Sequence, residues 1–102
     1  MTLENKKRVL LTLVTEAVVE QSLLADLDRL GVRGYTVSNA RGRGAHGMRD
    51  ASWDEAANIR VEVICKRELA EIVFAHLRDK YYANYAMITF LHEIEIMRPE
   101  KF

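Results

Sequence analysis

Two stretches near the ends of the chain, Val9–Val14 and Met87–Met97, offer apolar side chains to both of their faces. Val9-Leu10-Leu11-Thr12-Leu13-Val14 is a nearly continuous apolar run. In the second stretch Ile88, Phe90, His92, Ile94 and Ile96 alternate with Met87, Thr89, Leu91, Glu93, Glu95 and Met97, and Pro99 ends it. Strands of this composition belong inside a fold, covered from both sides. An architecture with a layer on one side only would leave a sheet face too apolar to stay wet.

Between them the hydrophobic period changes twice. Val19, Leu23, Leu27 and Leu30 recur at helical spacing and predict a helix from about Ala17 to Leu30, with Glu16 and Glu20 favouring its N-terminal end and Gly31 stopping it. Tyr35–Ala40 reads as a second strand. Ile59–Cys65 is a third, with Ile59, Val61, Val63 and Cys65 on one face and Arg60 and Glu62 on the other. Leu69, Ile72, Val73, Leu77 and Tyr81 predict a second helix from about Glu68 to Tyr82. The order strand–helix–strand–strand–helix–strand, with right-handed crossovers, is a ferredoxin-like α+β sandwich: a four-stranded antiparallel sheet with both helices on one face. Self-association through the open face is the economical way to cover it.

The whole chain, residues 1–102, is read as one domain, long enough to bury a core unaided. It is 49% hydrophobic and 29% charged, the balance of a folding chain. Its formal net charge is +0, which argues against nucleic-acid or anionic-membrane binding through bulk charge. The single cysteine, Cys65, falls in a strand pattern and reads as a small buried hydrophobe in a reducing compartment. No apolar run reaches the length of a membrane span and the N-terminus lacks a secretory pattern, so a cytoplasmic location is expected.

The chemistry concentrates between the second and third strands. Residues 41–58 have no period, and loops of that length are usually functional or disordered. Gly42, Gly44 and Gly47 alternate with Arg41, Arg43 and Arg49. Glycines permit close backbone approach and positive φ, successive N–H groups in such a turn can hold an anion, and guanidinium forks suit phosphate. The segment thus reads as the root of a phosphate-binding loop, or as a solvated hairpin tip. Trp53 in the same loop packs locally or contacts a partner protein.

Other chemistry is missing. His46, His76 and His92 have no metal-ligand spacing; His76 reads as a boundary residue and His92 as a satisfied buried histidine. The glycines at 42, 44 and 47 match the letter of a dinucleotide fingerprint but follow a hairpin strand and precede no helix. No nucleophile, base and orienter can be assembled, so no catalytic residue is assigned. Arg60 and Glu62 stand where an RNA-binding sheet would project aromatics.

Gly34-Tyr35-Thr36-Val37 followed by Gly42-Arg43-Gly44 and a long loop resembles the start of the T-loop of PII signalling proteins. Asn58-Ile59 at the third strand and Lys80-Tyr81-Tyr82-Ala83-Asn84-Tyr85-Ala86 before the last resemble more narrowly the PII-like branch linked to inorganic carbon, with its SbtB-type and carboxysome-associated members. The resemblance implies a homotrimer with clefts between subunits that take AMP, ADP, ATP or cyclic AMP, with bicarbonate as a further candidate ligand. Thr36 and Val37 would line adenine and ribose; Gly42, Arg43 and Gly44 would approach the phosphates; Arg49 would reach them from the loop. Tyr85 and Ala86 would close the cleft from a neighbouring subunit, and Arg98 would approach it from the end of the last strand. The regulated partner would be a bicarbonate transporter or a carboxysome component. His46 and Gly47 stand in place of the glutamine and lysine of typical PII proteins, so metal-dependent 2-oxoglutarate sensing is not implied. The competing function on this topology is hydrolysis of a phosphate or acyl phosphate, with Arg43 as cradle and Asn39 or Asn58 positioning water.

Overall fold

A computed structural model describes residues 6–42 and 57–102. Strand β1 spans Lys7–Glu16 and leads through a 3₁₀ turn, Ala17–Val19, into helix α1, Glu20–Leu30. Strands β2, Thr36–Ala40, and β3, Asn58–Cys65, flank the long loop; helix α2 is Arg67–Lys80, strand β4 is Met87–Glu95, and a 3₁₀ turn covers Pro99–Lys101. The strands form one antiparallel sheet in the order β2-β3-β1-β4, the ferredoxin-like arrangement expected from the element order.

The first and last strands of the chain lie side by side. β1 sits between β3 and β4 and is ten residues long, longer than its apolar run, because ladders on both sides carry its polar ends. β4 ends at Glu95, where its pairing with Lys7 ends. Direct partners share a face, so the registers Leu13↔Val61, Leu11↔Val63 and Val9↔Cys65 place these six residues under the helices. All six are buried, together with Leu23 and Leu27 of α1 and Ala70, Val73 and Leu77 of α2. Gly31 closes α1 in the left-handed conformation, φ 99°, and the Val32 N–H returns to the Leu27 carbonyl at 3.0 Å.

Two expectations fail in instructive ways, and one burial was not foreseen. Ile72 is 54% exposed, because the inward stripe of α2 follows Ala70, Val73 and Leu77 and position 72 is turned off it. His92 is exposed and meets Phe90 edge-on at 5.6 Å, because its register partner Leu10 puts it on the face without helices. α1 buries the charged Asp26 within its apolar stripe. The open face is as apolar as expected: Leu10, Val14, Ile64 and Ile94 are half-buried, while Ile88 is 60% and Phe90 40% exposed.

Candidate functional site

One end of the sheet gathers the segments to which the sequence assigns binding. β3 opens at Asn58, which pairs with Ala40 of β2 on one side and Glu16 of β1 on the other. The Ala17 N–H donates to the Ala57 carbonyl at 2.6 Å, so the return of the long loop is pinned to the end of β1. β4 begins beside it, with Met87 opposite Thr15. The connector from α2 into β4, residues 81–86, therefore lies at the same end as the two roots of the loop.

That connector is anchored at both of its ends. At the β4 end, Thr15 Oγ1 donates to the Ala86 carbonyl at 2.7 Å, and the Ala86 N–H donates to Glu16 Oε2 at 2.7 Å. Glu16 makes no cap to its own 3₁₀ turn, in contrast with the helix-start role that its place in the sequence suggests. At the α2 end, the Asn84 and Tyr85 N–H groups both donate to the Tyr81 carbonyl, at 3.1 and 3.0 Å. The Tyr81 and Tyr85 rings meet at 6.1 Å.

Tyr81 in turn is tied to the densest polar cluster among the described residues. Asp26, on the side of α1 that meets α2, receives Tyr81 OH at 2.7 Å, His76 Nε2 at 2.8 Å, Lys80 Nζ at 2.9 Å and Arg29 Nη1 at 3.1 Å. Tyr81 OH also meets Ser22 Oγ at 2.8 Å. Burial by itself would raise the Asp26 pKa, but the four hydrogen bonds outweigh it and hold the carboxyl far below the usual carboxylate range. The hydrogen bond to Asp26 raises the Lys80 pKa, and burial raises that of the Tyr81 hydroxyl. The Cys65 thiol is pushed up by burial, which leaves it a packed, protonated side chain. The clue to the cluster was present in the sequence as an acid three residues after Leu23 within the α1 stripe, facing a helix whose inner face carries His76 and Tyr81.

Of the candidate binding residues, Thr36 and Val37 lie on β2, the edge strand, with Thr36 exposed on the open face and Val37 packed against the core. Gly42 follows β2 and is exposed. A Cβ built on Gly42 or Gly34 would meet nothing within 4 Å, and Gly31 is the only described residue with positive φ. The chain itself does not require glycine at 42. Tyr85 is half-buried and Ala86 exposed, and both precede β4 at the opposite edge, about 14 Å away across three strand spacings. Arg98 lies beyond the far end of β4, about 30 Å of strand away, where it pairs with Glu100 at 3.7 Å. Arg43, Gly44 and Arg49, with His46 and Trp53, lie outside the described residues. No single copy of the chain brings the described candidates into one site.

Two grooves occur at the far end of the sheet, of about 600 and about 410 Å³. In the first, Arg67 pairs with Glu93 at 3.2 Å. In the second, Arg8 donates to the Phe102 and Pro99 carbonyls, both at 2.9 Å, and Arg33 to the Glu100 carbonyl at 3.4 Å. The chain's own groups thus engage these cations. Asn39 and Asn58, the two candidates for positioning water, pair with Ile59 and Ala40 and so belong to opposite faces of the sheet.

Residues 8–101 match the sequence model of the family described as nitrogen regulatory protein P-II. Among solved structures, a PII-like signalling protein from Thermus thermophilus is 36% identical, with a TM-score of 0.79 and coverage of 94% of this chain and 95% of that one. CPII, a nitrogen regulatory PII-like protein from Thiomonas intermedia, is 27% identical in a structure bound to ADP, AMP and bicarbonate, with a TM-score of 0.81 and coverage of 94% and 93%. The same protein bound to ADP, AMP and acetate superimposes with a TM-score of 0.79 at 26% identity, covering 94% of each chain.

Proposed function

The chain belongs to the nitrogen regulatory protein P-II family, and we propose that it is a cytoplasmic, homotrimeric sensor of adenine nucleotides. The observation that carries this reading is the placement of the binding segments at opposite edges of a sheet whose open face is apolar. The β2 edge with Gly42 belongs to one side of the molecule and the Tyr85–Ala86 connector to the other, so a cleft using both needs a second copy. A neighbouring copy would cover Ile88 and Phe90 and bring its connector to the β2 edge. The open space at Gly42 is the room that a phosphate needs to reach the backbone.

In this cleft Thr36 and Val37 line the nucleoside, Gly42, Arg43 and Gly44 meet the phosphates, Arg49 reaches them from the loop, and Tyr85 and Ala86 come from a neighbour; Arg98, a strand's length from Tyr85 within one copy, approaches from the end of β4 of a different copy. Ligand phosphates then select one arrangement of residues 41–58, through the difference in affinity between arrangements, and so change the surface offered to a partner. That partner belongs to inorganic-carbon handling, a bicarbonate transporter or a carboxysome component. The bicarbonate and acetate held by CPII support a small carboxylate-type anion as co-ligand. The protein acts by binding and not by catalysis; the split of Asn39 and Asn58 between sheet faces supports this over the phosphohydrolase reading.

Calorimetric titration with AMP, ADP, ATP and cyclic AMP, with and without bicarbonate, tests the reading. Wild type binds at least one of them, and Arg43→Ala weakens that binding by about ten- to a hundredfold, the loss of one charge-assisted phosphate contact. Absence of heat with every nucleotide overturns it.

A further inference from the structure

We propose that Asp26 is a positioning residue for the connector between α2 and β4: acting through Tyr81, it fixes the Asn84–Tyr85 half of that connector within a single copy, ahead of any neighbour or ligand. The connector's value as a wall of the cleft rests on the intersubunit reading above; its fixing by Asp26 does not. Tyr82, Ala83, Asn84 and Ala86 are all exposed, and a stretch with so little burial ordinarily opens easily. The Asn84 and Tyr85 amides nevertheless share one acceptor, the Tyr81 carbonyl, at 3.1 and 3.0 Å. The order of this half therefore depends on how firmly Tyr81 is held.

Tyr81 is buried, but apolar burial is non-directional and does not by itself choose one setting of a ring. Its polar surroundings do. The hydroxyl donates to Asp26 Oδ2 at 2.7 Å, a charge-assisted bond. Lys80 Nζ lies 5.3 Å from the ring centroid, and His76 meets the ring edge-on at 6.3 Å. Both are themselves bound to Asp26, at 2.9 and 2.8 Å. One buried carboxylate thus holds the hydroxyl and gathers two of the groups that cage the ring. Without its charge, Lys80 is free to turn to water and the hydroxyl keeps only Ser22, on the exposed side of α1. The far half of the connector does not share this cage, because the Ala86 N–H and carbonyl are held by the end of β1.

The test is amide hydrogen exchange read residue by residue, without nucleotide, on wild type, Asp26→Asn, Tyr81→Phe and Leu13→Ala. Tyr81→Phe keeps the ring and leaves His76, Lys80 and Arg29 on Asp26, so it separates the connector from the rest of the cluster. In Asp26→Asn and in Tyr81→Phe the Asn84 and Tyr85 amides are expected to exchange about tenfold faster than in wild type, the protection carried by about one hydrogen bond, while Ala86 changes by less than about threefold. Leu13→Ala lowers the global stability without touching the cage and should leave all three amides as in wild type. Equal acceleration of Asn84, Tyr85 and Ala86 in every variant would mean that they report global unfolding alone, and overturns the assignment. Unchanged exchange of Asn84 and Tyr85 in either Asp26→Asn or Tyr81→Phe overturns it as well. With no nucleotide present, neither result touches the nucleotide-sensing reading, which calorimetry tests separately.

Discussion

β1 shows the same kinds of side chain in two situations. Leu11 and Leu13 point under the helices and are fully buried, whereas Leu10 and Val14, one residue along, point to the open face and are half-buried. β4 sharpens the contrast, with Ile88 and Phe90 of the open face 60% and 40% exposed. The hydrophobic effect does not distinguish the two sets; only the covering layer does. The covered face therefore forms the core of the single copy, and the open face is the surface that the proposed trimer would bury.

Substitution on the two faces separates these roles, and the covered face gives the largest effect. Leu13→Ala leaves a cavity between β1, β3 and the helices and is expected to cost about 2–5 kcal/mol in chemical denaturation. Phe90→Asp, on the open face, is expected to lower the mass measured by light scattering from that of a trimer to that of a monomer while the far-UV spectrum stays folded. If the mass is unchanged, something other than a second copy covers the face.

The next effect is that of Asp26, the one charged side chain among the described residues with almost no exposure, 2% for the residue. Asp26→Asn is expected to cost about 1–3 kcal/mol: it loses charge-assisted bonds, while Lys80 and Arg29 can turn to water and Tyr81 keeps Ser22. The pH dependence has a definite sign. The folded carboxyl titrates far below its unfolded value of about 3.9, so its contribution is complete above that value and is lost as the pH falls through the folded pKa. The stability gap between wild type and Asp26→Asn should hold from neutrality to about pH 5 and narrow below about pH 4. A gap that stays constant into strong acid would show that the ionised carboxylate is not what holds α1 to α2.

The periods of the strands and helices made the sheet, the side its helices cover and its bare face readable before any coordinates. Period alone could not tell which charges are buried. Asp26 stands in the α1 stripe, but its burial depends on α2 supplying His76, Lys80 and Tyr81, and those lie 50 or more residues away. Glu16 misleads for the same reason: it precedes a helix, yet its carboxylate is spent on Ala86, 70 residues on. Of the candidate site, the sequence marks segments that the fold can place: Thr36 and Val37 lie on β2, and Gly42, Tyr85 and Ala86 lie at the loop-bearing end of the sheet. Whether they meet is not a property of one chain, because the strand order sets β2 and β4 at opposite edges and leaves Arg98 at the far end.

The smallest effects test the comparison most finely. Thr12 Oγ1 and Thr89 Oγ1 are both buried with no hydrogen-bond partner among the described residues. Thr89 pairs with Leu13 and faces the helices, whereas Thr12 pairs with Glu62 and Phe90 and faces the open side. A buried hydroxyl without a partner is a cost that valine removes, so Thr89→Val should stabilise the fold by about 1 kcal/mol or less in any state of assembly. Thr12→Val should gain a similar amount and leave the light-scattering mass unchanged, because Thr12 Oγ1 is closed off within one copy even though its register faces the open side. A Thr12→Val variant that loses stability while Thr89→Val gains it would mean that the Thr12 hydroxyl has an acceptor outside the described residues.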